Sequence, residues 1–183
     1  MTLEKSSEIC LPGEIGLPVL ETERLVLRTP RFEDAAAIAA LADDPVITVN
    51  TALIPHAFRK QDAEAWIAQF AAPDDDGATF GIYRKDGDVF IGACGLSRLD
   101  GVIHLGFWLR APYRESGLAT EAARAGIDFA FTRLKQTEIT SAARVTNAAL
   151  RRVLEECGFQ WTGVGLTRVK ALAASVPVDR FRL

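Results

Sequence analysis

The chain has 183 residues, 49% hydrophobic and 25% charged, with a formal net charge of −3. That is enough for one domain with a proper core and marginal for two. The acidic balance argues against a general nucleic-acid binder. Charge is uneven: residues 1–50 hold nine acids against four bases, and residues 141–183 hold seven bases against three acids. The basic surplus could meet an anionic ligand near Arg144, Arg151 and Arg152, or be a scatter of solvated arginines. Cys10, Cys94 and Cys157 are far apart and odd in number, with two histidines in the chain, so neither a metal site nor a disulfide framework is expected. Cys94 and Cys157 read as small buried hydrophobes. No apolar run approaches the ~20 residues that span a bilayer, and residues 1–20 lack a basic segment followed by an apolar one. The expectation is a cytoplasmic protein with no membrane or nucleic-acid partner.

Residues 1–20 hold two prolines and two glycines without periodicity and read as an N-terminal arm, leaving 21–183 as the single domain. Residues 23–30 alternate Leu25 and Leu27 against Arg24, Val26 and Arg28, a strand closed by Pro30. Residues 31–45, rich in Ala with Ile38 and Leu41, predict a helix stopped by Pro45. Residues 59–70 predict a second helix with Ala63, Trp66, Ile67 and Phe70 on one side, and 73–78 turn the chain. Strands at 79–85, 88–99 and 101–109 follow, joined by Asp86-Gly87 and Asp100-Gly101, so they form an antiparallel meander. A helix from Gly117 to about Leu134, a strand at 137–145, a helix at 147–157 and strands at 158–169 and 178–183 complete the order. In the last helix Leu150, Val153, Leu154 and Cys157 fall at i, i+3, i+4 and i+7, and Gly158 suits a left-handed C-terminal position. This is a mixed α+β sheet in a single domain.

The stretch "RESGLATEAARAGIDFAF" (114–131) is the most informative. Ser116 could cap the helix. Glu121, Arg124, Asp128 and Thr132 form a polar stripe in which Glu121–Arg124 and Arg124–Asp128 can pair. Ala119, Ala122, Ala123, Ile127, Ala130 and Leu134 form the opposite side. Two readings of the small residues stay open: close helix–sheet packing, or an anion held by the unpaired N–H groups of the first turn, with Arg114 adding a cation.

"APYRESGLATEAARAGIDFAF" (111–131) resembles the acetyl-CoA loop and helix of the GNAT N-acetyltransferases, with Arg114, Gly117 and Ala119 at the motif positions. The fuller pattern, Pro112 then Gly117, Ala119-Thr120-Glu121-Ala122, resembles the RimJ/RimL-like branch, which acetylates protein N-terminal amines. Gly106-Phe107-Trp108-Leu109 before the loop and "NAALRRVLEECGF" (147–159) after it fit the same branch, so the resemblance covers about residues 21–183. It implies a GNAT-like single domain: a central, mostly antiparallel sheet of about seven strands with about four helices, the fourth and fifth strands splayed around acyl-CoA. It implies acetyl-CoA as acetyl donor. Main-chain groups of Phe107, Trp108 and Leu109 would hold the pantetheine arm and polarise the thioester. Arg114, Glu115, Ser116, Gly117, Leu118, Ala119 and Thr120 would cradle the pyrophosphate, Asn147 would contact the cofactor, and Arg151 or Arg152 could reach the adenosine phosphates.

Direct transfer needs a neutral amine, and His104, on the strand before Gly106, is the candidate general base. Its alternative is a structural or rim histidine. His56 would border the substrate cleft or solvent. Leu150 stands where the branch usually has Ser or Thr, and Phe107 where Tyr is frequent. Either the thiolate leaves without a side-chain acid, or Tyr113 or Tyr83 supplies the proton. The expected acceptor is a protein N-terminal α-amine or a small-molecule amine. The alternative function is a non-catalytic acyl-CoA-binding or sensing module. A different nucleotide binder would need a P-loop Lys-Ser/Thr or a GxGxxG, and neither is present. Asp74, Asp75 and Asp76 could attract a basic peptide or simply be solvated, and a homodimer is left open.

Overall fold

Apolar alternation and turn chemistry build one sheet in the computed structural model, which describes residues 17–52, 54–55, 57–70 and 77–183. Its strands are β1 (Leu20–Glu21), β2 (Leu25–Arg28), β3 (Gly77–Arg84), β4 (Val89–Leu99), β5 (Val102–Leu109), β6 (Ile139–Arg144), β7 (Gln160–Val169) and β8 (Ala174–Arg182). The helices are α1 (Ala35–Ala42), α2 (Pro45–Asn50), α3 (Lys60–Phe70), α4 (Leu118–Thr132) and α5 (Ala148–Glu156). The strand order is β1-β2-β3-β4-β5-β6-β8-β7. Every neighbouring pair is antiparallel except β5 and β6, which run parallel. The mixed, mostly antiparallel single sheet is thus as expected. It has eight strands and five helices among the described residues rather than about seven and four.

The meander follows from its turns. Asp100 (φ 50°) and Gly101 (φ 85°) are both left-handed, as a two-residue type I′ hairpin requires. In its β3–β4 region the sheet is covered on both faces. Under α4 and α5 lie Leu25, Leu27, Phe80, Ile82, Cys94, Ile103 and Leu105, with Phe80 and Phe129 packed edge to face at 5.2 Å. On the opposite face Tyr83 and Phe90 pack against Ile38 of α1 and Ile67 of α3, with Trp66 and Trp108 alongside. Small residues on α4 serve close packing from its second turn on. A Cβ on Gly126 would stand 2.9 Å from Cys94 Sγ, and Ala122 and Ala123 are fully buried. Gly117 is different: it is exposed, with φ 78°.

Several local expectations are corrected. The helix expected over 31–45 is a 3-10 turn (Phe32–Asp34), α1, and a separate α2. Pro45 does not only end a helix; it opens one, because Asp44 Oδ1 accepts from Val46 N at 2.8 Å and caps α2. β8 begins at Ala174 rather than at 178, since Pro177, opposite Leu166, is accommodated within the strand. Ser116 does not cap α4: its hydroxyl donates to the Tyr113 carbonyl at 2.8 Å, and Gly117 occupies the cap position.

Glu121 and Arg124 of the polar stripe pair with other elements rather than with each other, while Thr132 Oγ1 donates along the helix to the Asp128 carbonyl at 2.6 Å. Glu121 accepts from Thr22 Oγ1 (2.6 Å), Arg24 N (2.8 Å) and Arg24 Nε (2.7 Å), and Arg124 Nη2 donates to the Glu156 carbonyl at 3.1 Å. Burial alone would raise the Glu121 carboxyl, but the donors from Thr22 and Arg24 hold it below its ordinary value. A carboxylate with a depressed folded pKa contributes stability that is present above its unfolded value near ~4.3 and lost as pH falls through the folded one. Glu121→Gln is expected to lower unfolding stability by about 1–3 kcal/mol at neutral pH. In urea titrations the deficit relative to wild type should shrink below about pH 4.

Candidate functional site

The parallel pair β5/β6 is short. Only Ile103↔Ile139 and His104↔Thr140 are in register. Beyond them β5 continues against β4 to Leu109, and β6 continues against β8 to Arg144. Past the last pair Ser141 Oγ, buried, donates to the Leu105 carbonyl at 2.8 Å. From there the strands part. A cleft of about 1140 Å³ opens at this point, lined by Leu105 to Trp108 of β5, Ser141, Ala142 and Arg144 of β6, and Leu150 of α5. It extends across the sheet to Thr79, Gly95, Ser97 and His104, beneath Trp66 and Phe58. In an antiparallel ladder alternate residues point both main-chain groups away from the partner strand. Alternate residues between Leu105 and Leu109 therefore turn their N–H and C=O away from β4, into the gap.

The loop after β5 leads to α4. Tyr113 N and Arg114 N bond back to the Arg110 and Ala111 carbonyls at 3.0 and 3.2 Å. Glu115 (φ 59°) and Gly117 (φ 78°) are then left-handed, and the first helical bond of α4 runs from Glu121 N to Gly117 O at 3.1 Å. Among the described residues, the main-chain N–H groups of Glu115, Ser116, Gly117, Leu118, Ala119 and Thr120 have no hydrogen-bond acceptor. Alternating hand concentrates such donors into an anion-binding concavity, reinforced by the positive end of a 15-residue helix. A Cβ at Gly117 would meet only Arg24 Nη2, at 3.4 Å. The Leu118 side chain is buried and anchors the helix below.

The remaining expected cofactor residues divide by what they touch. Arg114 donates from Nε to the Leu109 carbonyl (2.9 Å) and pairs through Nη2 with Asp44 (3.2 Å), clipping the end of β5 to the cap of α2. The guanidinium that lies against the loop is that of Arg24, whose Nη1 donates to the Ser116 carbonyl at 3.0 Å. Sequence reading missed it, since no local pattern links residues 24 and 116. Asn147 Oδ1 accepts from Leu150 N at 3.1 Å and caps α5. Arg151 is bonded to Glu155 and Asp179 at 2.9 and 3.3 Å. Arg152 is 82% exposed, 4.0 Å from Glu156. Thr120 donates its hydroxyl to Glu156 at 2.9 Å, tying the first turn of α4 to the end of α5.

His104 lines the cleft with Nδ1 3.2 Å from Thr140 Oγ1, and burial pushes its pKa below the ordinary imidazole value. Neither tyrosine considered as an acid lines the cleft. Tyr83 is fully buried, donates to Asp34 at 2.7 Å, lies under Arg28 and is pushed well up by burial. Tyr113 packs its ring against the core beside Arg110. Burial also raises both described thiols, Cys94 to about 12. Cys10, His56 and Asp74 to Asp76 lie outside the described residues. Among the described residues no helix is long and apolar enough to cross a membrane.

The sequence profile of the acetyltransferase (GNAT) domain matches residues 24–160. The chain belongs to the GNAT acetyltransferase family. This GNAT protein is similar to the uncharacterized N-acetyltransferase p20 of Bacillus licheniformis, at 28% identity over 172 residues, covering 91% of this chain and 96% of that one. It is also similar to the uncharacterized N-acetyltransferase YoaA of Bacillus subtilis (strain 168), at 30% identity over 152 residues, 80% of this chain and 85% of the relative. Its fold is shared with Mycobacterium smegmatis RimJ in complex with CoA-disulfide: TM-score 0.75, 21% identity, 87% of this chain and 81% of that chain. It is therefore an N-acetyltransferase of the GNAT family, a family whose members use acetyl-CoA as acetyl donor.

Proposed function

We propose that this enzyme binds acetyl-CoA with the diphosphate on the loop at 114–120 and transfers the acetyl group to a primary amine by direct attack, with His104 as general base. The observation that carries this reading is a half-buried imidazole in the cleft that opens where β5 leaves β6. The residues fit the cosubstrate. Unpaired N–H groups from Glu115 to Thr120 suit a diphosphate, and the missing Cβ of Gly117 lets it approach the main chain. The parted edge at Phe107, Trp108 and Leu109 suits an extended amide-bearing arm, and a main-chain N–H there would polarise a carbonyl oxygen. Bound there, acetyl-CoA supplies an acetyl group already activated as a thioester.

The cations take different roles. Arg24 adds positive charge beside the loop, with Glu121 holding it in place. Exposed Arg152 can reach an adenosine phosphate, whereas Arg151 is committed to Asp179 and Glu155. Arg114 and Asn147 act by fixing the ends of β5 and α5.

An ammonium has no lone pair, so the acceptor must lose a proton before or during attack. His104 accepts it directly or through water. A base held below the ordinary imidazole value suits an amine of modest basicity. The α-amino value of about 7.7–8.0 meets that condition better than a lysine-like value of about 10.4, so an α-amine on a protein N-terminus or small molecule is the favoured acceptor. Leu150 has no proton to give. A thiol of ordinary pKa near ~8.5 leaves without one. Leu150 and Phe107 are features that a non-catalytic acyl-CoA-binding module would share, but a neutral base in the cleft argues for turnover.

Acetyl-CoA at about 100 times its dissociation constant should stabilise the fold by about 2.7 kcal/mol and raise Tm. Gly117→Glu, which places an anion in the cradle, should abolish that rise, while Gly117→Ala, with similar backbone strain, should retain much of it. An undiminished rise in Gly117→Glu would overturn the loop assignment.

His104→Gln should lower kcat by about 10²–10⁴ with little change in acetyl-CoA affinity. Because the base works unprotonated, wild-type kcat/KM should rise with pH through an apparent pKa below about 6.5 and level off by neutrality, an acid limb absent from the variant. Equal losses of rate and affinity would remove His104 from the base role. Thiol release with a panel of N-terminal peptides and small amines identifies the acceptor, and turnover with none of them would count against the reading.

A further inference from the structure

His104 and Thr140 face each other as the last in-register pair before β5 and β6 separate. Their side chains meet there, with Nδ1 of His104 3.2 Å from Oγ1 of Thr140. The threonine hydroxyl has one proton, and it donates to the Ile103 carbonyl at 3.4 Å. With that proton committed, Oγ1 has only lone pairs to offer the ring, and Nδ1 can meet them only as an N–H donor. A neutral imidazole protonated at Nδ1 has its lone pair at Nε2. Among the described residues no hydrogen bond engages Nε2, and the ring lines the cleft.

We propose that Thr140 is a positioning residue: it selects the Nδ1–H tautomer of His104 and so leaves Nε2 to accept the proton of the acceptor amine. The inference rests on the base role given to His104 above. In the proton transfer the N–H bond of the ammonium breaks, its electron pair stays on the amine nitrogen, and the new N–H bond forms at Nε2. The ring becomes a cation with Nδ1–H still directed at Thr140. Threonine suits the task because its β-branch restricts χ1, holding the acceptor oxygen where β6 places it. The contact also falls at a rigid point. Ile103 and Ile139, which pair one residue earlier, are both fully buried.

The test uses the full chain labelled with nitrogen-15. With two histidines in the sequence, ring nitrogen–proton correlations are simple to assign, and His104→Gln identifies the His104 signals. At neutral pH the wild-type ring should be protonated at Nδ1. Thr140→Ser, which keeps the acceptor, should preserve that state. Thr140→Val, nearly isosteric but without an acceptor, should shift the population toward Nε2–H. Kinetics with an amine the wild type accepts should show kcat reduced about tenfold or more in Thr140→Val, within the range a general base is worth. KM for acetyl-CoA should stay unchanged, and Thr140→Ser should retain most of the rate.

A wild-type ring protonated at Nε2, or a tautomer indifferent to Thr140→Val, would overturn the proposal. Undiminished kcat in Thr140→Val alongside a large loss in His104→Gln would overturn this inference alone. Undiminished kcat in both would remove the base role itself. Thermal unfolding of the variants separates these outcomes from misfolding, because Thr140→Ser keeps the hydroxyl as a folded reference.

Discussion

The site depends on how little of β5 and β6 is joined. Two parallel pairs, with Ile103 and Ile139 both fully buried, fix the start of β6 against β5. After that each strand is claimed from its outer side. β5 keeps its register with β4 through Leu109, and β6 keeps its register with β8 through Arg144. Main-chain donors and acceptors on the facing edges then lack partners in the middle of a sheet, where such groups are costly to leave unmet. Water satisfies them only loosely, whereas an extended chain of amides can satisfy them in strand fashion. The Ser141–Leu105 bond makes the separation abrupt. The opening is thus a consequence of pairing on both flanks rather than of loose packing.

The same economy governs the entrance to α4. Its buried face uses Ala122, Ala123 and Gly126 to lie close over Cys94 and Leu105, and its first turn leaves its amides open. Those amides are of use only if the turn holds its shape, and three ties outside the helix hold it. Arg24 bridges Glu121 to the Ser116 carbonyl, Thr120 bonds Glu156, and Arg114 bonds the end of β5 and Asp44. Fixed donors aimed at an anion cost little reorganisation when it binds. The charged side chains near the loop therefore act chiefly as its scaffold.

Patterns with short periods were legible in the sequence. The Asp100-Gly101 turn, the i, i+3, i+4, i+7 spacing of α5 and the small residues after Arg114 each have a local physical signature, and each maps onto the structure. What escaped is long-range. Arg24 meets Glu121 across 97 positions, so the local spacing in α4 suggested Arg124 as the partner instead. Asp44-Pro45 carries two meanings, a stop and a start, and the structure uses the second, with Asp44 capping α2 and tied from afar by Arg114. Tyr83 was a candidate proton donor by residue type alone, and the fold sends it under Arg28 and against Asp34. Thr140 gave no signal at all, since a threonine in a strand is ordinary until the register sets it opposite a histidine.

Leucine at position 150 then ceases to look like a defect. Leu150 joins Val153, Leu154 and Cys157 in packing α5 on the sheet, and its main-chain N–H is already capped by Asn147. A hydroxyl there would sit among apolar neighbours and need a partner of its own. The two proton transfers of the reaction are not equally demanding. An amine with a pKa of about 8–10 is largely protonated at neutrality and cannot attack until a base relieves it, whereas a thiolate of pKa near ~8.5 can depart bare and collect its proton from solvent. In the proposed mechanism the imidazole of His104, which lines the cleft, is therefore spent on the amine. The parted strands favour that choice, because the last position of β5 paired with β6 is held rigidly enough to aim an imidazole, while Leu150 keeps the α5 side of the cleft apolar.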